Sequence, residues 1–366
     1  IAVGLNMDPL ELRLLNYAEK DWHEDKPFSA KKLRECYQVG AEMFGWFRRS
    51  ATPGTMRDGR MLVGYGMATS TYPMNRMPAH ARVRLDAEGI ATVQAASQDI
   101  GTGTYTIMTQ VAAEVLGLPY TRVRVELGNS AFPPAPVSGG SMTVASLGPA
   151  VQAAAEAVRA KLFAMAGKVW QVAEGDPLRL EGGVVIGANG RISVTELLGR
   201  NGLDSVQAVA EAKPGDEKQH YSLHSFGAQF CEVRVDPDLG TIRVARWVGA
   251  FDCGRVMNPK TARSQLIGGI TFGIGMALLE ETLVDPHVAR IVNSNVAEYL
   301  MPVNADIPHI QTYLAPNDDR ISNPLGARGL GELPMVGVAP AVANAVYNAT
   351  GRRVRRVPIR IEDVLT

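Results

Sequence analysis

Cysteine is scarce in this sequence. Only Cys36, Cys231 and Cys253 occur in 366 residues, far apart and without a C-x-x-C. That spacing holds neither an iron–sulfur cluster nor a structural zinc, and it argues against a disulfide scaffold. The six histidines are scattered; His220 and His224 stand four apart but no H-E-x-x-H accompanies them, so a metal held by protein side chains is not indicated. Neither sign of charge dominates. Lys+Arg and Asp+Glu both number 37, so bulk charge favours neither nucleic acid nor an anionic membrane. No apolar run reaches the ~18 residues that cross a bilayer, and no signal peptide is visible. The first residue is Ile1 and the opening reads like mid-protein sequence, so we expect part of a larger subunit, and the missing leader leaves the compartment open.

What is present fits a globular protein with a real core: 46% hydrophobic and 20% charged residues, with room for roughly two or three domains. Asp8-Pro9 opens a short predicted helix through Asn16, with Asp8 as N-cap and Pro9 in the first turn. A second helix is predicted over 29–49, where Leu33, Cys36, Tyr37, Gly40, Phe44 and Phe47 recur at i, i+3, i+4 spacing and read as a core-facing stripe. Residues 61–69 read as a strand. Residues 81–94 form a strand–turn–strand unit around Asp86-Ala-Glu-Gly89, followed by a helix over 104–116, a strand over 123–127 and an Ala-rich helix over 147–166. Residues 167–215 read as short strands, turns and a small helix without evident chemistry. The pattern then returns: residues 230–246 repeat the strand–turn–strand around Asp236-Pro-Asp-Leu-Gly240, and a helical run follows over 262–280. A last helix is expected over 339–349, ended by Gly351.

This repeat at about 150 residues implies two similar modules. Hairpins punctuated by helices, without strict βαβ alternation, favour an α+β fold. The expected organisation is a helical linker segment over 1–58, a first module over 59–215 and a second over 216–366.

Four Gly/Ser/Thr-rich stretches stand out, 97–104, 138–146, 265–275 and 326–332. Two run into predicted helices, whose free N–H groups and positive dipole end favour anions. Ser138, Ser141, Thr143, Thr102 and Thr104 add hydroxyl donors. Together they suit an extended, phosphate-bearing ligand lying across the junction of the modules. None spells G-x-x-x-x-G-K-[ST], and none places G-x-G-x-x-G between strand and helix, so neither a P-loop nor a Rossmann site is supported. Helix capping and tight packing explain any single stretch well and four together poorly. In the last stretch Gly326, Gly329 and Gly331 crowd around Glu332, and Pro334 stiffens the exit. Taken alone, Glu332 reads either as a group aimed at a ligand or as a solvated glutamate on an ordinary bend. A hydrolase pairing of Glu332 with Asp99 or Asp252 has no support in the spacing.

Gln98-Asp-Ile-Gly-Thr-Gly-Thr104, Ser138-Gly-Gly-Ser-Met-Thr143, Asp252-Cys-Gly-Arg-Val-Met-Asn-Pro259, Gln265 to Leu278 and Gly329-Leu-Gly-Glu-Leu333 occur in that order. So ordered, they resemble the C-terminal half of the molybdopterin-binding large subunit of the xanthine oxidase (molybdenum hydroxylase) family, in wording closest to bacterial periplasmic aldehyde oxidoreductases. The resemblance spans essentially the whole chain. It implies a molybdopterin cofactor, in bacteria usually the molybdenum cytosine dinucleotide form, whose metal is held by the pterin dithiolene and not by protein side chains. It places Glu332 on the family's general base, which takes a proton as a metal-held oxygen attacks the substrate carbon. Gln98, Gly101, Thr102, Gly103, Thr104, Ser138, Gly139, Gly140, Ser141, Thr143, Gln265 and Gly331 fall on cofactor-holding positions. Electrons leave through iron–sulfur and FAD subunits. The family's N-terminal half, with its own cofactor loop and substrate-pocket loop, is absent here. The chain is therefore expected to be a fragment or one half of a split subunit, inactive alone.

The resulting expectation is aldehyde hydroxylation to a carboxylic acid with water as oxygen source. N-heteroaromatic hydroxylation and a non-catalytic assembly half are the alternatives. For Glu332, a water-poor pocket would disfavour the charged form, whereas Gly-loop N–H groups and the nearby Arg328 would favour it.

Overall fold

Two sheets organise the chain, each belonging to its own contact-dense unit. Unit one comprises Ile1–Met74, His220–Asp319 and Gly329–Thr366; unit two comprises Asn75–Gln219 and Arg320–Arg328. The structure, a computed structural model, describes residues 1–171 and 177–365. The expected strands and turns of 167–215 are borne out wherever described, as Arg179–Glu181, Val184–Gly187, Gly190–Ser193, the helix Val194–Arg200 and Ser205–Ala212; 172–176 lie outside the described residues.

In unit two, strands Ala79–Asp86 and Ala91–Ala95 form an antiparallel hairpin, with Arg82 opposite Gln94 and Leu85 opposite Ala91. The Asp86 side chain closes the turn by accepting from the Ile90 N–H at 2.8 Å, and Gly89 supplies the φ of +76° that ends it. The helix Thr104–Leu116 then crosses over and returns the chain as Val123–Leu127, parallel to Ala91–Ala95. Ser205–Ala212 pairs antiparallel with the outer side of Ala79–Asp86. Burial alternates strictly along Ala79–Asp86 and Ala91–Ala95, the mark of a sheet covered on one face. The helices Thr104–Leu116 and Thr143–Trp170 supply that cover. The second helix starts four residues before the expected position, so Thr143 stands in its first turn.

Unit one repeats the plan. Strands His224–Val235 and Ile242–Asp252 form the hairpin. Its turn is again closed by an aspartate, Asp236, accepting from the N–H of Asp238 at 3.0 Å and of Leu239 at 3.2 Å. The helix Pro259–Leu278 crosses over, and His309–Leu314 returns parallel to Ile242–Asp252. Met61–Pro73 pairs antiparallel with the outer side of His224–Val235, and the helix Val338–Thr350 packs on both. The internal repeat is therefore real, with a cyclic shift. The outer strand and its helix close the plan at the end of unit two, whereas in unit one the outer strand precedes the hairpin.

That shift explains why the expected boundaries 1–58, 59–215 and 216–366 do not coincide with the observed division. Met61–Pro73 pairs from Leu62 to Pro73 with His224–Val235 and so joins unit one, as does the N-terminal segment. The 29–49 helix is shorter than expected: it spans Leu33–Phe44 and stops at Gly45, with φ +70°. A 3-10 turn over Trp46–Arg48 then buries Trp46 and leaves Phe47 78% exposed, so Phe47 is not part of the core stripe.

Unlike the sheet of unit two, the sheet of unit one is covered on both faces, and His224–Val235 is buried at every position except His224 and Arg234. One face packs Phe226 and Phe230 against Phe44 and Trp46, supplied by the Leu33–Phe44 helix and the turn after it. The other packs Trp247 with Ile270 and Ile274 of Pro259–Leu278 and with Val338 and Val342 of Val338–Thr350. On this side the final helix touches the strand directly. A Cβ at Gly64 would lie 2.0 Å from the Ala345 carbonyl oxygen, and one at Gly66 would lie 2.1 Å from the Ala341 carbonyl oxygen and 2.2 Å from the Ala345 nitrogen. Backbone atoms of a helix cannot give way as a side-chain end can. Gly66→Ala is expected to cost ~3 kcal/mol, read as a lower urea midpoint of the chain at unchanged slope. Gly199→Ala, where no atom lies within 4 Å of the added Cβ, is the control and should show no loss.

Candidate cofactor-binding and catalytic site

Glu332 stands immediately before the short helix Leu333–Val336, at its N-cap. Leu333 and Pro334 are buried while Glu332 itself is exposed. The water-poor pocket expected around it is thus not built by its own unit, because the buried neighbours point their apolar atoms to the core and leave the carboxylate outside. What meets the carboxylate is Tyr72, near the end of the strand Met61–Pro73, whose hydroxyl donates to Glu332 Oε2. Burial first, then the hydrogen bond and charge of Glu332, push the Tyr72 phenol up to about 12, so it is a proton-bearing donor at any ordinary pH. Sequence reasoning missed Tyr72, which lies 260 positions away. Arg328 is buried within unit two, whereas Glu332 belongs to unit one.

Gln265 lies half-buried in the second turn of Pro259–Leu278, not in a loop. Asn258 caps that helix by accepting from the N–H of Lys260 at 3.1 Å and of Thr261 at 3.3 Å. Two glycines of the 265–275 stretch serve packing: a Cβ at Gly269 would meet Pro334 at 2.5 Å, and one at Gly273 would meet Val338 at 2.3 Å. The loop expected over this stretch is instead helix. Gly331 sits on the bend before Glu332.

Unit two brings the first two Gly-rich stretches together. Gln98 Oε1 accepts from the Ser138 N–H at 3.0 Å, Ser138 Oγ donates to the Gln98 carbonyl at 2.6 Å, and Thr143 Oγ1 donates to Ser138 Oγ at 3.4 Å. Thr102 and Thr104 hydroxyls lie 3.4 Å apart. Gly140 offers its carbonyl to the Asn75 amide at 3.0 Å, and Ser141 follows in the left-handed region at φ +55°. The 28-residue helix Thr143–Trp170 begins without a side-chain cap, so its first N–H groups carry positive potential beside these hydroxyls. Gly139 is informative because nothing in the chain requires a glycine there. Its φ is not positive, and a Cβ would meet nothing within 4 Å; Gly101, at φ +95°, also faces open space. Such bare backbone suits close approach by a flat or phosphate-bearing ligand, and the donors around it suit an anionic cofactor.

The carboxylates that a hydrolase would need are engaged in the fold. Asp99 accepts from the N–H of Gly101 at 2.7 Å and of Tyr105 at 3.3 Å. Asp252, fully buried, accepts from the Lys32 N–H at 2.8 Å and the Asn317 amide at 2.9 Å. Among the described residues, no group of three or more His, Cys, Asp or Glu side chains is placed to hold a metal, and no helix is long and apolar enough to cross a membrane.

Residues 39–308 match the molybdopterin cofactor-binding domain. The chain is 38% identical over 366 residues to the aldehyde oxidoreductase molybdenum-binding subunit PaoC of Escherichia coli (strain K12), covering 100% of this chain and 49% of that protein. It is 28% identical over 381 residues to the xanthine dehydrogenase molybdenum-binding subunit of Escherichia coli O157:H7, covering 98% and 49%. Its fold superposes on quinoline 2-oxidoreductase from Pseudomonas putida 86 with a TM-score of 0.85 at 23% identity, over 99% of this chain and 50% of that one. The chain belongs to the molybdopterin-binding domain family of the xanthine oxidase and aldehyde oxidoreductase type. It spans about half the length of the curated relatives it matches.

The Tyr72–Glu332 contact has a direct test on the chain. With its ten tyrosines labelled at Cζ and Tyr72 assigned through Tyr72→Phe, carbon NMR should show this phenol titrating at about 12. Glu332→Gln should bring it down toward the ordinary 10.0 without reaching it, because the burial remains. An unmoved Tyr72 titration in Glu332→Gln would rule out the contact.

Proposed function

We propose that the chain is the base-carrying, cofactor-holding half of a molybdenum-dependent hydroxylase that converts aldehydes to carboxylic acids with water as oxygen source. The observation that carries the reading is Glu332 presented on a buried helix start with the Tyr72 hydroxyl on its carboxylate. A general base must be ionised and within hydrogen-bond reach of the proton it takes, and a phenol donor complements the charged carboxylate. The aldehyde preference draws on the name of the 38%-identical relative, an aldehyde oxidoreductase subunit.

The cofactor is molybdopterin in its cytosine dinucleotide form. When bound, it supplies the oxygen-transfer and two-electron chemistry that no side chain here offers. Gln98, Gly101 to Thr104, Ser138 to Ser141 and Thr143 hold it from unit two, with bare backbone at Gly101 and Gly139 for the ring system and hydroxyls and helix N–H groups for phosphate. Glu332 removes the proton of the attacking nucleophile and keeps it until the product leaves, while Tyr72 donates to the carboxylate whenever it is charged. The N-terminal half of the subunit supplies the remaining pocket, and iron–sulfur and FAD subunits take the electrons.

Coexpression with an N-terminal half of this family should give a complex that contains molybdenum and oxidises aldehydes in preference to N-heteroaromatics. Glu332→Gln should keep the metal and lose ~10²–10⁴-fold in kcat; near-normal turnover refutes the base assignment. Gly139→Ala should leave the urea midpoint of the chain unchanged and lower the molybdenum content of the complex. A Gly139→Ala complex with full molybdenum removes Gly139 from the cofactor site.

A further inference from the structure

Gln229 is a primary amide in the middle of His224–Val235, with 0% of its surface exposed. Burying an unpartnered amide costs a few kcal/mol, and here every polar atom of the side chain is engaged. Trp247 Nε1 donates to Gln229 Oε1 at 3.2 Å, and Gln229 Nε2 donates to Ser70 Oγ at 2.8 Å and to the Pro334 carbonyl at 2.7 Å. An indole N–H only donates, so Trp247 fixes which end of the amide is oxygen. The nitrogen must then face Ser70 and Pro334.

The chain after the base is seated on this amide. A Cβ at Gly337 would lie 2.4 Å from Ser70 Oγ and 2.7 Å from Gln229 Nε2, and Gly269 lets the Pro259–Leu278 helix close on the Pro334 ring from the other side. Ser70 and Tyr72 are two apart on one strand and so share a face. Ser70 takes an N–H of Gln229 while Tyr72 reaches Glu332.

We propose that Gln229 is a positioning residue for Glu332: by holding the carbonyl of Pro334, two residues beyond the carboxylate, it sets where Glu332 meets Tyr72. Its consequence for turnover rests on the reading of Glu332 as the base, but the hold itself does not.

Two measurements on Gln229→Met, which keeps length and removes the donors, test it. In the chain without cofactor, the Tyr72 phenol reports whether Glu332 is still against it, and its titration should fall as in Glu332→Gln. In the assembled complex, kcat should drop on the order of 10²-fold with KM and molybdenum content unchanged. A folded Gln229→Met chain with an unmoved Tyr72 titration overturns the proposal, as does a loss of activity that only tracks loss of molybdenum. If Gln229→Met does not fold, Ser70→Ala removes one acceptor only and should shift Tyr72 in the same direction by less; no shift overturns the proposal. Full turnover in Glu332→Gln would sink the base reading and leave the titration to judge the hold.

Discussion

A helix backbone lying directly on a strand backbone is the constraint on which unit one depends. At Gly64 and Gly66 the Met61–Pro73 strand leaves no room for a methyl group beneath Val338–Thr350. Large apolar side chains at an interface can shift rotamers, but two backbones in contact have one seating. That seating fixes the start of the final helix, and with it the turn Leu333–Val336 and the carboxylate just ahead of it. The same strand then supplies Ser70 and Tyr72, so one element positions the helix and touches both ends of the Glu332 turn.

The two units use one six-element plan for different ends. In unit two the sheet is covered on one face, and its Gly-rich stretches present loop backbone and hydroxyls before two helices. Such groups can adapt to a bound ligand. In unit one the sheet is covered on both faces and the central strand is almost wholly buried. Glu332 and the Tyr72 hydroxyl that meets it belong to this doubly covered unit. The cyclic shift matters to this division. Because the outer strand of unit one precedes its hairpin, the chain past the parallel return strand is left to run through Glu332 into the helix that covers that outer strand.

Much of this was legible from residue pattern. Asp86 to Gly89 and Asp236 to Gly240 announced the hairpin turns, Asp8-Pro9 the first helix and Gly351 the end of the last, because capping and turn chemistry are local. Phe47 was misplaced because an i, i+3 stripe continued past Gly45, and periodicity alone does not register a left-handed stop. The glycines at 268–275 looked like those at 101–103 and 139–140. Only the surroundings separate Gly269 and Gly273, packed against Pro334 and Val338, from Gly101 and Gly139, which face open space. Glu332 was singled out through family resemblance and not through its local sequence, which fitted an ordinary bend equally well. Tyr72 left no trace in spacing, since its contact is made by strand pairing and helix seating across 260 residues. Gln229 did leave one: a lone amide between Ala228 and Phe230, in a strand otherwise apolar enough to be buried, is a polar group that must be satisfied inside.

That last signal bears on how Glu332 is held. Glu332 is exposed in its own unit. A hydrogen bond from Tyr72 meets its carboxylate, and one from Gln229 holds the backbone that follows. Hydrogen bonds fall away steeply with distance and angle, whereas burial is nearly indifferent to small displacements. The Tyr72–Glu332 contact is therefore sensitive to position, and backbone contact with a fully satisfied buried amide can hold that position. The close packing of unit one and the exposure of its carboxylate thus belong to one arrangement: Glu332 lies open while the backbone after it is seated on buried, fully engaged groups.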